Sequence, residues 1–214
     1  MQRRSLTGTD AILFDLDGTL WDSAPSVSGS WQRALQRFAP ELRPPITADE
    51  VRSCMGMRID ELGCRLFPML DDDARAELLS QCLMEEDAAL RQEGGILFPA
   101  VPETLAELHK TYKLCVVSNC QYGYIENFLR LSGLANLFHD HICFGDTGRS
   151  KGENARQIIL RNHFQQACFV GDTPIDGRAA READIPFIFA RYGFGSTTDF
   201  DYAIDSFDEL LYLL

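Results

Sequence analysis

A doubly wound parallel α/β sheet, with a block of helices inserted after its first strand, is the architecture this sequence predicts. Three observations predict it. Apolar runs of four to six residues recur along the chain and stop at polar or glycine-containing turns, the pattern of strands buried on both faces. Segments with helical spacing alternate with those runs, which implies a parallel sheet with crossover helices. The alternation fails over one interval, from Trp21 to about Gly95, where amphipathic patterns follow one another with no convincing strand.

In order along the chain, residues 11–14 form the first strand. The interval that follows carries helices over 27–38, 48–54, 59–67 and 73–92, punctuated by Pro44-Pro45 and Pro68. Thr47 stands where an N-cap belongs, with Glu50 three residues on, and Gly94-Gly95 closes the last helix. Strands are then expected at 113–117, 141–144, 167–170 and 186–190, separated by helices over 102–110, 124–131, 152–163 and 175–183. Residues 206–214 read as a final amphipathic helix covering the sheet. The implied division is a core of residues 1–20 plus 96–214 and a helical subdomain of residues 21–95. Segments 22–25 and 94–99 are candidate hinges, although Gly and Pro there are equally what any loop contains.

Composition bounds the function. The chain has 214 residues, 45% of them hydrophobic and 24% charged, a globular balance that excludes fibrous and disordered classes. Twenty basic residues against 32 acidic ones leave a formal charge of -12, which argues against nucleic acid as the main partner. A small anionic ligand would need local positive charge from a cation, a few Lys or Arg, or helix N-termini. The seven cysteines are odd in number, widely spread and free of Cys-x-x-Cys, so they read as reduced core residues. No stretch approaches the roughly 18 apolar residues of a membrane span, and the expected location is cytoplasmic.

The residues that carry chemistry cluster at strand ends. Asp15 and Asp17, in Phe14-Asp15-Leu16-Asp17-Gly18-Thr19, stand at the C-terminal edge of the first strand, where open α/β sheets bind ligands. Residues two apart in an extended segment point the same way, so both carboxylates can face one cavity. Their repulsion invites a divalent cation, and oxygen donors suit Mg²⁺. Turn formation before Gly18 is the plainer alternative. Asp172 and Asp176, in Val170-Gly171-Asp172-Thr173-Pro174-Ile175-Asp176, follow another strand, and Asp172 or Thr173 serves equally well as a helix N-cap. Ser118 and Asn119 end a third strand, as phosphate-oxygen donors or as an ordinary turn. Lys151 opens a helix, a poor electrostatic position unless something anionic lies nearby. His139 and His141 have no further Cys or His partners and read as structural.

Taken together, these segments resemble the haloacid dehalogenase superfamily, in particular its subfamily IA and phosphoglycolate phosphatase-like members. Asp15-Leu16-Asp17-Gly18-Thr19 matches the first motif, Ser118 the second, Lys151 the third, and Gly171-Asp172 through Asp176 the fourth. The helical insert lies where that family has its C1-type cap. The resemblance implies a Rossmann-like catalytic core and an Mg²⁺-dependent phosphatase acting on a small phosphorylated metabolite through an aspartyl-phosphate. It implies Asp15 as nucleophile and Asp17 as acid/base. The metal would sit on the Asp15 carboxylate, the Asp17 carbonyl and Asp172, with Asp176 direct or one step removed. Ser118, Asn119 and Lys151 would hold the phosphoryl oxygens.

Two departures stand out: the lysine motif reads Lys151-Gly152-Glu153 rather than Lys-Pro-x-Pro, and the second motif reads Ser118-Asn119-Cys120. In the insert, Met55-Gly56-Met57-Arg58 resembles the cap loop that faces the active site, which makes Arg58 the candidate for contact with the leaving group, against a helix-surface arginine paired with Glu61 or Glu41. The alternatives are a phosphomutase of the β-phosphoglucomutase type, whose usual hinge His is missing from residues 22–30, and a phospho-accepting regulatory module, which normally has no inserted cap.

Overall fold

The computed structural model describes residues 3–214. Its centre is a six-stranded parallel sheet of β1 (Ala11–Phe14), β4 (Lys113–Ser118), β5 (Phe138–Cys143), β6 (Ala167–Gly171), β7 (Phe187–Ala190) and β8 (Tyr202–Ile204). The spatial order is β5-β4-β1-β6-β7-β8, so β1 lies between β4 and β6. Registers Phe14 to Val116 and Phe14 to Val170 bring the ends of these three strands level. Asp15, Ser118 and Asp172 thereby meet at one edge.

The pleat sorts side chains between two layers, because alternate residues of a strand face opposite sides. Ile12, Phe14, Leu114, Val116, Cys168 and Val170 pack on one face with α5 (Val101–Leu108) and α6 (Tyr124–Ser132). Leu13, Cys115, Val117 and Phe169 pack on the other beneath α8 (Lys151–Arg161) and α9 (Pro174–Ala183). Both faces are covered, which is why the strands are near-continuous apolar runs.

The insert holds α1 (Ala24–Phe38), α2 (Ala48–Arg52), α3 (Ile59–Leu66) and α4 (Asp72–Leu90). They enclose a cluster of their own that includes Val27, Trp31, Leu35, Phe67, Leu79 and Cys82. Thr47 caps α2 as expected: Glu50 N donates to its hydroxyl, and Thr47 N donates to the Glu50 carboxylate at 3.0 Å.

Four differences from the sequence expectation have local causes. Trp21–Asp22 (β2) pairs antiparallel with Ile96–Leu97 (β3), a two-residue ribbon where no strand was expected and too short to show a period. β8 is a sixth strand that the sequence does not predict, because three residues, two of them half-buried, among Asp199, Asp201 and Asp205 carry no apolar run. β5 begins at Phe138, three residues early, since His139, Asp140 and His141 occupy an edge strand that stays partly wet. The chain ends in a 3₁₀ turn, Phe207–Glu209, and the four-residue α10 (Leu210–Leu213), not one longer helix. A further short helix, α7 (Phe144–Thr147), follows β5. Among the described residues no helix is long and apolar enough to cross a membrane.

Candidate active site

Asp15 leaves the end of β1 with its N–H donating to the Val170 carbonyl at 2.9 Å, which fixes the backbone before the turn. Its carboxylate is 2% exposed. Lys151 Nζ donates to Asp15 Oδ1 at 2.5 Å and to Asp176 Oδ1 at 2.6 Å. A lysine at a helix start is unfavourable against the macrodipole, and here two buried carboxylates reverse that balance. Asp176 also holds its own helix in place. Its Oδ2 accepts from Thr173 N at 2.9 Å and Thr173 Oγ1 at 2.6 Å, closing the capping box of α9.

Asp172 is held from two sides, by Phe194 N at 2.7 Å and Thr19 Oγ1 at 3.3 Å. Gly18 passes beside it with φ +89°, and a Cβ there would stand 2.3 Å from Asp172 Oδ2. Glycine is required at this position for both its conformation and its size.

Asp17 points elsewhere. Its Oδ1 accepts from Ser23 Oγ at 2.5 Å, Trp21 Nε1 at 2.9 Å and Tyr124 OH at 2.9 Å, and Tyr124 OH lies 2.8 Å from Ser23 Oγ. These contacts bring together β2, the first residues of the insert and α6. Burial raises the Asp17 pKa to about 6, and the three hydrogen bonds hold it from going higher. That range suits a group that must give and take a proton near neutral pH.

The remaining charges are strongly coupled. Burial, then Asp176, then Asp172 push the Asp15 pKa up, and Lys151 pulls it down. Burial and Asp176 raise Asp172 to about 7. Burial works against the Lys151 charge, but Asp15 and Asp176 override it and keep the ammonium protonated. One cation thus faces three carboxylates.

The residues fit a bound Mg²⁺ on two counts. Oxygens of Asp15, Asp172 and Asp176 lie within 4.8 Å of one another, a hard donor set. Asp15 Oδ2 is fully buried without a hydrogen-bond partner, and such an atom is costly unless something positive reaches it.

A cavity of about 70 Å³ lies over this edge, between the core and the insert. The core contributes Asp15, Asp17, Ser118, Asn119, Cys120 and Tyr124; the insert contributes mostly apolar groups, among them Val27, Trp31, Met55 and Leu83, and one acid, Glu86. Ser118 Oγ accepts from Cys120 N at 3.3 Å, leaving its own proton free to donate. Asn119 lines the cavity, but its Nδ2 donates to the Gly56 carbonyl of the insert at 2.8 Å.

Arg58 is outside the cavity lining. It pairs with neither Glu61 nor Glu41 through its guanidinium: Nη2 donates to Asp60 at 2.8 Å, and the group covers the Phe144 ring at 4.7 Å. Arg52, the other arginine near the junction, is tied to Asp22 at 2.7 Å. His141 lies 3.5 Å from Glu126, and His139 packs on Phe164.

Sequence reasoning missed Ser23, Tyr124 and Glu86. Ser23 is only six residues from Asp17, but a serine at a helix start reads as a cap. Tyr124 leaves no local signal, since it lies 107 residues from Asp17. Glu86 did leave one: it stands at helical spacing from Leu79, Cys82, Ala89 and Leu90, all buried, so it interrupts an apolar face.

The chain is similar to known proteins along almost its whole length. Residues 12–190 match the haloacid dehalogenase-like hydrolase family. The phosphoglycolate phosphatase of Aliivibrio fischeri is 30% identical over 220 residues, covering 95% of each chain. That of Salmonella typhimurium is 29% identical over 231 residues, covering 94% of this chain and 90% of its own. A Haemophilus somnus structure described as a predicted phosphoglycolate phosphatase superposes with a TM-score of 0.84 at 25% identity, over 98% of this chain and 99% of the other. A haloacid dehalogenase-like hydrolase from Streptococcus pneumoniae gives a TM-score of 0.85 at 23% identity, over 98% and 100%.

Proposed function

The chain belongs to the haloacid dehalogenase-like hydrolases, and from that premise we propose that it is an Mg²⁺-dependent phosphatase hydrolysing a small phosphate monoester through an aspartyl-phosphate on Asp15. One observation carries the reading: a buried carboxylate at a strand end, one oxygen fixed by Lys151 and the other without a partner, opens on the cavity. That is the arrangement of an oriented nucleophile.

The ion would be held by the Asp15 carboxylate, the Asp17 carbonyl and Asp172, with Asp176 direct or one step removed. When bound it neutralises phosphoryl charge and draws the carboxylates around it into the ionised state. The Asp15 carboxylate attacks phosphorus while Asp17 gives its proton to the departing alkoxide, so the alcohol leaves neutral. Asp17, now a carboxylate, takes a proton from water as the water oxygen attacks phosphorus. The acyl-phosphate bond breaks, returning Asp15 and inorganic phosphate. Ser118 and Lys151 donate to the equatorial oxygens, where charge accumulates in a loose transition state.

The cap of residues 21–95 and the core of residues 1–20 plus 96–214 form two units joined through the β2–β3 ribbon, and closure of one on the other shuts water out of the cavity. The candidate substrates are phosphoglycolate, which the names of the relatives bring, and small sugar phosphates.

The test is phosphate release from a panel of monoesters, with Mg²⁺ and with EDTA, by the wild type and Asp15→Asn. Release that needs both Mg²⁺ and Asp15 is expected. Release that survives Asp15→Asn removes the proposed nucleophile, and with it this reading.

A further inference from the structure

Glu86 sits on the buried face of α4, 9% exposed, in the cap wall of the cavity. Trp31 Nε1 donates to its Oε2 at 2.5 Å; its Oε1 accepts no hydrogen bond from any described residue. The buried Trp31 N–H needs an acceptor, which Oε2 supplies, but a neutral amide would serve that need as well; a carboxylate adds a charge to an otherwise apolar wall. A glutamine would keep the bond to Trp31 and leave the wall uncharged.

The charged residues that line the cavity, Asp15, Asp17 and Glu86, are all acids. The arginines nearest the junction are committed elsewhere, Arg58 to Asp60 and Phe144, and Arg52 to Asp22. A leaving group that ended in a carboxylate would find no cation in this lining, and would face Glu86 at the cap end. An ammonium would find the opposite: a carboxylate oxygen without a partner, in a lining that holds no competing cation. The volume of about 70 Å³ holds roughly five waters, so a phosphate and a short organic part fill it.

On the phosphatase reading given above, we infer that Glu86 is a substrate-binding residue and that the organic part of the substrate is a short chain carrying a positively charged amino group. The two ends of such a substrate are then sorted by charge. The phosphate goes to Lys151 and Ser118, and the ammonium goes to Glu86. Bound reversed, it would set its phosphate against the Glu86 carboxylate and its ammonium beside Lys151, two like-charge contacts.

Three esters of near-equal size differ only at the far end: 2-aminoethyl phosphate, 2-hydroxyethyl phosphate and phosphoglycolate. The experiment measures kcat/KM for each with wild type and Glu86→Gln, alongside p-nitrophenyl phosphate as a general phosphatase substrate. Circular dichroism and thermal melting establish that the variant is folded. The wild type is expected to prefer the aminoethyl ester by tenfold or more over both others, and Glu86→Gln to reduce the amine-to-hydroxyl ratio by tenfold or more. A preference for the carboxylate or hydroxyl ester overturns the inference, as does an amine preference that persists in Glu86→Gln. If the wild type hydrolyses p-nitrophenyl phosphate in an Asp15-dependent way but shows no amine preference, the phosphatase reading stands and this one fails. If it hydrolyses none of the four, both fail.

Discussion

On the core side of the cavity, each acid has at least one carboxylate oxygen fixed by an assigned partner; on the cap side, a single acid stands in an apolar wall. Lys151 bridges Asp15 and Asp176, Thr19 and Phe194 hold Asp172, and Ser23, Trp21 and Tyr124 hold Asp17. The cap wall has Trp31 on one oxygen of Glu86 and otherwise Val27, Met55, Leu83 and their neighbours. The difference separates reaction from recognition. Reaction chemistry needs charges oriented to a fraction of an ångström by their own partners. Recognition of a small organic group needs shape, dryness and one polar contact placed at the right end.

The largest effect expected from breaking this contrast is at Asp15. Asp15→Asn keeps the shape and removes the nucleophile, and turnover falls by on the order of 10³-fold or more. Burial and Asp176 oppose the Asp15 charge by more than Lys151 supports it, and Lys151 keeps Asp176 as its partner in the variant, so thermal melting moves upward, not downward. A fall in both activity and melting temperature would mean that Asp15 serves the fold as much as the chemistry.

Lys151→Met comes next, since it leaves Asp15 and Asp176 buried without their shared cation. Breaking a buried pair from one side costs about 3–5 kcal/mol, read by urea denaturation in the absence of Mg²⁺. Mg²⁺ should recover part of that loss, because a second cation reaches the same carboxylates. If the ion gives no recovery, these carboxylates are not its ligands.

The core strands were legible because burial on both faces writes them as unbroken apolar runs, as at 114–117 and 167–170. Asp15, Asp17, Ser118 and Asp172 were legible because each lies at or just beyond the end of such a run, where the topology of a parallel sheet places ligands; Lys151, which opens α8 beyond α7, was legible as a cation at a helix start. β8 was not, since an edge strand of three residues bounded by aspartates has no period to detect. Asn119 shows a further limit. Its place after β4 was readable, but the Gly56 carbonyl that takes its amide comes from a loop 63 residues away in sequence. Arg58 shows the same limit: the motif places the loop, while Phe144 and Asp60 decide where the guanidinium goes.

The cap side can be tested through pH. Burial lifts the Glu86 pKa from an ordinary 4.5 to about 7. A folded-state pKa raised above the unfolded one gives stability that is complete below about pH 4.5, declines as pH rises, and is lost once pH passes 7. At about 1.4 kcal/mol per unit, the decline contributed by Glu86 amounts to about 3 kcal/mol. Asp17 titrates in the same direction with a pKa of about 6, so the wild-type curve contains both. Subtracting the Glu86→Gln curve isolates the cap contribution between pH 4.5 and 7. A difference that does not change with pH would show that Glu86 reaches solvent freely, which would remove the dry wall from the comparison.

The smallest effect lies where the two sides touch. Asn119 is expected from sequence to hold the phosphate, whereas its Nδ2 donates to Gly56 of the cap at 2.8 Å. A hydrogen bond of this kind contributes about 1 kcal/mol, so Asn119→Ala should shift the equilibrium between closed and open cap by about fivefold. A latch that acts in the bound and reacting states alike changes KM and leaves kcat nearly constant; a group that binds the phosphoryl oxygens only as they gain charge changes kcat. A rise in KM of about fivefold at constant kcat assigns Asn119 to closure, and a fall in kcat of about a hundredfold at constant KM assigns it to the phosphate. The two roles also differ in substrate dependence. Loss of a latch weakens long and short esters alike, because the cap closes over either, while loss of a phosphoryl donor lowers the rate in proportion to the charge developed at phosphorus. Esters with poorer leaving groups then suffer more, and a series of substituted phenyl phosphates separates the two through the slope of rate against leaving-group pKa.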